Sequence, residues 1–350
     1  MKDDSLDSRS EMWRYVGAYA ALLFLCGCTP ERSEQNPYAD LFRTSPITEL
    51  KNYKDPRSSW ESRVFPLDDH SKSFVEALNR IDGFENSPVA STDLADLSRK
   101  LSKVRKRIPT RIDKLLNEQL FGIIVCENLG GTAVSGIVYE KEIPKGGFVI
   151  LDSKVLRRKA NDWITFKENS PFQNGKISVR IRIEEPSEDT EAAALEYILL
   201  HEFGHILAVT SGTGPDLRDR TRKFSDRPFY QSVWRSENKS FEDGGRFRTL
   251  RKVRFYTSEF SLDKEWKNVY PILADSPFPT LYSASNADDF FAESFVSYVH
   301  VLMEKRPWTL TVHESEKILY EMNNGIEKDS LKEQRKILRR LLEDRNVSPP

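Results

Sequence analysis

The chain has 350 residues, with 53 Lys and Arg against 54 Asp and Glu. A net charge of −1 excludes a whole-surface attraction to nucleic acid or acidic membranes, so no nucleic-acid partner is expected. At 38% hydrophobic and 11% aromatic residues the chain is too apolar to be disordered, and three cysteines are too few for a disulfide framework.

Tyr15 to Gly27 reads YVGAYAALLFLCG and carries no charge. A bilayer span needs roughly 20 apolar residues, so this shorter run fits a signal-peptide core, with a buried apolar helix as the alternative. It runs into Leu25-Cys26-Gly27-Cys28, which resembles the lipobox of bacterial lipoproteins. The resemblance implies cleavage before Cys28 and lipidation of Cys28. It also implies membrane anchoring through that lipid at the cell envelope, and Thr29 after the cysteine points to the outer membrane or a periplasm-facing position. Residues 1–14 hold Asp3, Asp4, Asp7 and Glu11 against Lys2, Arg9 and Arg14, whereas signal peptides start positive. Initiation at Met12 would remove that conflict. The expected divisions are a signal peptide over 1–27 and a polar tether with four prolines over 28–63. Processing would leave Cys126, in the apolar run FGIIVC, as a single buried and inert thiol.

Residues 64–110 form an expected N-terminal helical segment, with helices over Phe74–Ile81 and Leu94–Ile108. In the second, Leu94, Leu97, Leu101 and Val104 recur at helical spacing. From there the pattern changes to short strands over Phe121–Cys126, Ser135–Glu140 and Phe148–Asp152. Lys176–Glu184 alternates strictly, with Ile177, Val179, Ile181 and Ile183 on one face, as a half-buried strand does. Pro186 stops it, and Ser187–Thr190 offers N-caps for a helix starting near Glu191. Helices are also expected over Asp288–Met303 and around Leu331–Leu342.

His201-Glu202-Phe203-Gly204-His205 is an HExxH sequence inside that helix. Residues i and i+4 share one helix face, so both imidazoles can reach one metal ion at about 2.0–2.1 Å. Glu202 is then placed to take a proton from an attacking water. The surrounding residues Leu195–Val209 are mostly apolar, which places the helix in the core, where two His and a Glu are costly unless paired or bound to metal. The alternative is a helix with two ordinary core histidines. A catalytic zinc needs a third protein ligand and an open position. Asp289 and Glu293 are again i and i+4, flanked by Phe290, Phe291 and Phe295. One of the two would bind zinc and the other would hydrogen-bond a ligating His. The alternative is a solvated acidic helix start.

The stretch from Tyr282 through Asn286 to Asp289-Phe-Phe-Ala-Glu293-Ser-Phe resembles the active-site helix of the anthrax lethal factor catalytic domain family, which are gluzincin-type zinc peptidases, and HEFGH is that family's form of the first motif. The resemblance implies an α+β fold of zincin type, with a small mixed sheet bearing an edge strand, an active-site helix and a C-terminal helical part. It implies a metalloendopeptidase that hydrolyses peptide bonds with zinc-activated water. His201 and His205 would be ligands, Glu202 the general base, Asp289 the third ligand, Glu293 its positioning partner and Tyr282 the oxyanion donor. The family has Glu at the position of Asp289, one methylene longer, so either this helix sits closer to the metal or Glu293 is the ligand. In zincins an edge strand upstream of the helix pairs with substrate, and Lys176–Glu184 stands in that place. The metallopeptidase domain is expected over 111–350, with an insertion over about 211–279. Within the insertion, Leu217–Phe255 holds a surplus of basic over acidic residues, interleaved with aromatics. That pattern reads as a solvated loop or as a surface for an acidic partner. The partner implied for the site is a peptide or protein substrate. The competing function is a non-catalytic envelope binding or scaffold lipoprotein on a degenerate zincin fold. His70, His300 and His313 have no partner spacing and are expected to be structural or superficial.

Overall fold

The structure is a computed structural model that describes residues 36–53 and 58–343. The signal-peptide reading, Met12 and Cys28 lie outside the described residues.

The elements follow in chain order as α1 (Ala39–Thr44), β1 (Val64–Pro66), α2 (Asp69–Asp82), β2 (Val89–Ala90), α3 (Leu94–Arg107), α4 (Thr110–Gln119), β3 (Leu120–Glu127), β4 (Ala133–Glu140), β5 (Ile143–Asp152), α5 (Ala160–Asn169), β6 (Ile177–Arg182), α6 (Glu191–Thr210), the hairpin β7 (Trp234–Ser236) and β8 (Lys239–Ser240), α7 (Leu262–Asp275), α8 (Ala287–Ser297), β9 (Thr309–Glu314), β10 (Lys317–Asn323) and α9 (Lys332–Glu343). The architecture is mixed α+β. One sheet runs β1-β3-β5-β4, parallel except for the β5–β4 hairpin, and β2 adds to β3. A second, antiparallel sheet runs β10-β9-β6.

Helix α6 is the hub. By length and composition it would pass for a membrane span, but it is sunk in the core and packs against β4, β5, α3, α5 and α8. Its N-cap, Thr190, accepts from the Ala193 amide through its side chain, satisfying a donor that the first turn leaves free. Gly147 on β5 lets α6 come close, because a Cβ there would meet the Ile206 side chain at 2.6 Å.

Two expected divisions differ from the structure. Residues 36–53 and 58–63 are not a free tether: Phe42 and Ile47 are buried with Phe74 and Phe148, and Trp60 is fully enclosed and donates its indole N–H to Asp113. Large apolar side chains outweigh the prolines here, because enclosing an aromatic side chain stabilises by roughly 1.5–3 kcal/mol. Nor does the segment 64–110 stand apart. Strand β1 pairs with β3, and α3 lies on α6, so Leu97, Leu101 and Val104 belong to the main core.

The insertion is also folded. Phe229, Tyr230 and Trp234 are buried, and the Phe229 ring lies 4.7 Å from that of Phe291 beneath α8. Part of its basic surplus is consumed internally. Buried Arg222 donates to Asp288 Oδ1 at 2.8 Å, and Arg251 donates to Asp243 at 2.7 Å and to the Ala284 carbonyl.

Candidate metal centre

Helices α6 and α8 cross face to face, with Gly204 against Ala292. A Cβ at Gly204 would lie 2.9 Å from the Ala292 Cα, closer than carbon atoms ordinarily approach. This contact brings the polar faces of the two helices together.

His201 Nε2 and His205 Nε2 are 3.3 Å apart, and Asp289 Oδ1 stands 3.6 Å from each. Donors on a tetrahedral zinc at about 2.0–2.1 Å are separated by about 3.3–3.4 Å, so this triangle fits such an ion. The donor chemistry, two imidazoles and one carboxylate, fits zinc as well. Among the described residues these three form the only group of His, Cys, Asp and Glu arranged to hold a metal.

Asp289 is delivered to the triangle by its own helix start. Asn286 caps α8 by accepting from the Asp289 amide at 2.8 Å, and its Nδ2 donates to Asp289 Oδ2 at 2.8 Å. One carboxylate oxygen is thereby held, and the other faces the histidines. Arg222 fixes the preceding Asp288.

Glu293 stands behind the donors. Its Oε1 lies 3.1 Å from His201 Nδ1 and accepts from Lys167 Nζ at 2.8 Å, while Oε2 accepts from the Thr280 hydroxyl at 2.7 Å. It is 1% exposed. Burial by itself would raise its carboxyl, but Lys167 and His201 hold it well below the usual carboxylate range. Of the two acids that the sequence left open, Asp289 thus has the geometry of a ligand and Glu293 that of the group orienting a ligating His. For His201 burial disfavours the cation, yet Asp289 and Glu293 outweigh it and hold the metal-free imidazole up at about 9. A metal ion must displace that proton.

A small cavity of about 100 Å³ opens beside the donors. His201, Glu202, Lys167 and Tyr282 share its wall with Gly131–Ala133 and Tyr256. The Tyr282 ring sits 5.7 Å from that of His201, and the Asp289 charge and burial push its hydroxyl well above the ordinary value, so it remains a donor.

The strand at this cavity is not the one expected from the sequence. Gly131–Ala133 leads into β4, the outer strand of the larger sheet, whereas β6 contributes no wall residue. The free edge of β6 is already occupied. Asn161, Thr165 and Asn169, spaced i, i+4, i+8 along α5, hydrogen-bond with the backbone of Ile183, Ile181 and Val179. The helix satisfies backbone groups that a substrate strand would need.

Sequence reasoning missed Lys167, Tyr256 and Thr280. The one available signal was the four-residue spacing of Asn161, Thr165 and Asn169, which marks α5 and places Trp163 and Lys167 away from that face. Of the remaining histidines, His300 is buried and bonds the Ile183 and Pro307 carbonyls through Nε2, His313 sits on β9 beside Thr311, and His70 is exposed. Cys126 is enclosed, and burial pushes its thiol up to about 12, leaving it unreactive.

No protein-family model, curated protein or solved structure matches this chain. The zinc-peptidase resemblance therefore rests on the two motif helices and the geometry above.

Proposed function

We propose that this protein is a zinc-dependent peptidase. The observation that carries the reading is the triangle of His201 Nε2, His205 Nε2 and Asp289 Oδ1, with Glu202 in the wall of the adjoining cavity. Zinc, when bound, supplies Lewis acidity toward water and a carbonyl oxygen. The Glu202 carboxylate accepts the proton of the attacking water and later delivers it to the leaving amine. The Tyr282 hydroxyl donates to the carbonyl oxygen as negative charge develops there. Glu293 Oε1 stands 3.1 Å from His201 Nδ1, placed to orient that ring, and Asn286 holds the carboxylate of Asp289.

For an extended peptide, β4 is the natural partner. Its inner side pairs with β5; on its outer side Tyr139 bridges Glu49 and the turns over 46–52 pack against the strand, so a peptide would pair at the Ala133 end, beside the cavity. Backbone pairing along that edge would supply affinity and leave selectivity to the cavity. The lipobox-like Cys28 supports a lipid-anchored location at the cell envelope.

The test is metal content together with cleavage of a mixed peptide pool. Wild type is expected to hold about one zinc and to cleave; Glu202→Gln is expected to keep the zinc and lose cleavage. A zinc-loaded wild type that cleaves nothing in the pool would favour the scaffold reading.

A further inference from the structure

Lys167 is a cation sealed inside the protein, 5% exposed, at the back of the metal centre. A buried ammonium is costly unless it is paired. Its partners are specific. Nζ donates to Glu293 Oε1 at 2.8 Å, the same oxygen that lies 3.1 Å from His201 Nδ1. Nζ also sits 3.9 Å from the centre of the Tyr282 ring, a cation–π distance, and 5.9 Å from that of Trp163. One ammonium thus touches the acid that orients His201 and, on another side, the ring packed against His201.

Glu293 Oε2 is held by Thr280, which leaves Oε1 to Lys167 and His201. The Tyr282 ring meets Phe255 edge-on at 4.7 Å, lies 5.7 Å from the His201 ring and carries Lys167 Nζ over its face at 3.9 Å. Lys167 is carried by α5, whose opposite face is bonded into β6 by Asn161, Thr165 and Asn169. The anchor is therefore rigid, as a positioning group needs to be.

We propose that Lys167 is a positioning residue of the metal centre: it pins Glu293 against His201 and the Tyr282 ring beside it, so that the donor triangle is preset before metal arrives. The inference rests on reading His201, His205 and Asp289 as a metal site.

The test uses the full chain. Zinc affinity is measured by chelator competition, and coordination geometry by the visible absorption of the Co2+-loaded protein, for Lys167→Met, Glu293→Gln, their combination and Lys167→Arg. Loss of a group that orients a ligand typically weakens metal binding by about 10–100-fold. Lys167→Met and Glu293→Gln are each expected to lose at least about 10-fold and to shift the Co2+ spectrum. The combination is expected to lose no more than Glu293→Gln alone, because both act through one contact. Lys167→Arg, which keeps the charge, should recover most of the affinity. Wild-type affinity and spectrum in Lys167→Met, or losses that multiply in the combination, would overturn the proposal. If a single variant leaves an unpaired buried charge and does not fold, the combination decides, since it removes both charges. Binding at least about 10-fold weaker than wild type is expected there, and wild-type affinity overturns the proposal. A wild type that takes up no zinc removes the metal-site reading and this proposal together. Zinc that depends on His205 but is indifferent to Lys167 removes the proposal alone.

Discussion

The reach of Asp289 is set by how closely α8 lies on α6, and Gly204→Ala perturbs that spacing. The added Cβ would fall 2.9 Å from the Ala292 Cα and 3.3 Å from both the Ala292 Cβ and Phe295 Cδ1. Carbon atoms prefer about 3.5–4.0 Å, so α8 must retreat by about 0.6–1.1 Å. Asp289 Oδ1 now stands 3.6 Å from each Nε2. After the retreat that distance is about 4 Å or more, too long for a shared tetrahedral ion whose donors stand about 3.3–3.4 Å apart. Overpacking of this kind costs about 1–3 kcal/mol, which lowers the melting temperature by several degrees without unfolding the chain. Zinc affinity is expected to fall by more than the about 10–100-fold typical of outer-sphere changes, because a ligand itself is withdrawn. Adding Asp289→Glu to Gly204→Ala should restore much of the binding, since the extra methylene spans the widened gap. In the native backbone the same Asp289→Glu change is overlong and should weaken binding. The assay is chelator competition on the metal-free proteins, with circular dichroism to confirm the fold. A folded Gly204→Ala protein that binds zinc like wild type would refute the argument that helix spacing positions Asp289.

Three further outcomes are expected. His205→Ala, which removes one of three donors, should bind almost no zinc after dialysis while retaining its secondary structure. His300 is held neutral by burial, with its imidazole pushed down to about 4 from 6.5. Because the folded state resists this proton and the unfolded state accepts it, the stabilisation is complete above about pH 6.5 and is lost as pH falls toward 4. The shift corresponds to about 3 kcal/mol, so urea titrations of His300→Gln should show a shallower loss of stability over that window. Arg222→Met would remove the two-pronged ion pair that holds Asp288, at about 1.5–3 kcal/mol, and would loosen the first turn of α8. Its signature should be a loss of stability together with weaker zinc binding; unchanged zinc affinity would show that the insertion does not help to place Asp289.

The sequence alone determined the elements whose signals are local. Spacing of i and i+4 marked His201 and His205 as one face of a helix, because the repeat that aligns them is the helix's own hydrogen-bonding period. Alternation marked Lys176–Glu184 as a half-buried strand for the same reason; the strand observed is Ile177–Arg182, and its burial alternates residue by residue. Tertiary structure alone decided what depends on the distance between elements. Asp289 reaches the Nε2 atoms of both histidines and Glu293 the Nδ1 of His201 because a glycine and an alanine let two helices touch, and no periodicity records that contact. The outer edge of β6 is closed because three polar side chains of α5 reach it, which leaves β4 beside the cavity. Residues 36–63 look like a linker by composition, but Phe42, Ile47 and Trp60 find burial against partners far along the chain. Lys167 carries no local mark, since a lysine on a short helix is ordinarily solvated. Its meaning arises only from Glu293 and Tyr282, brought to it from more than a hundred positions away.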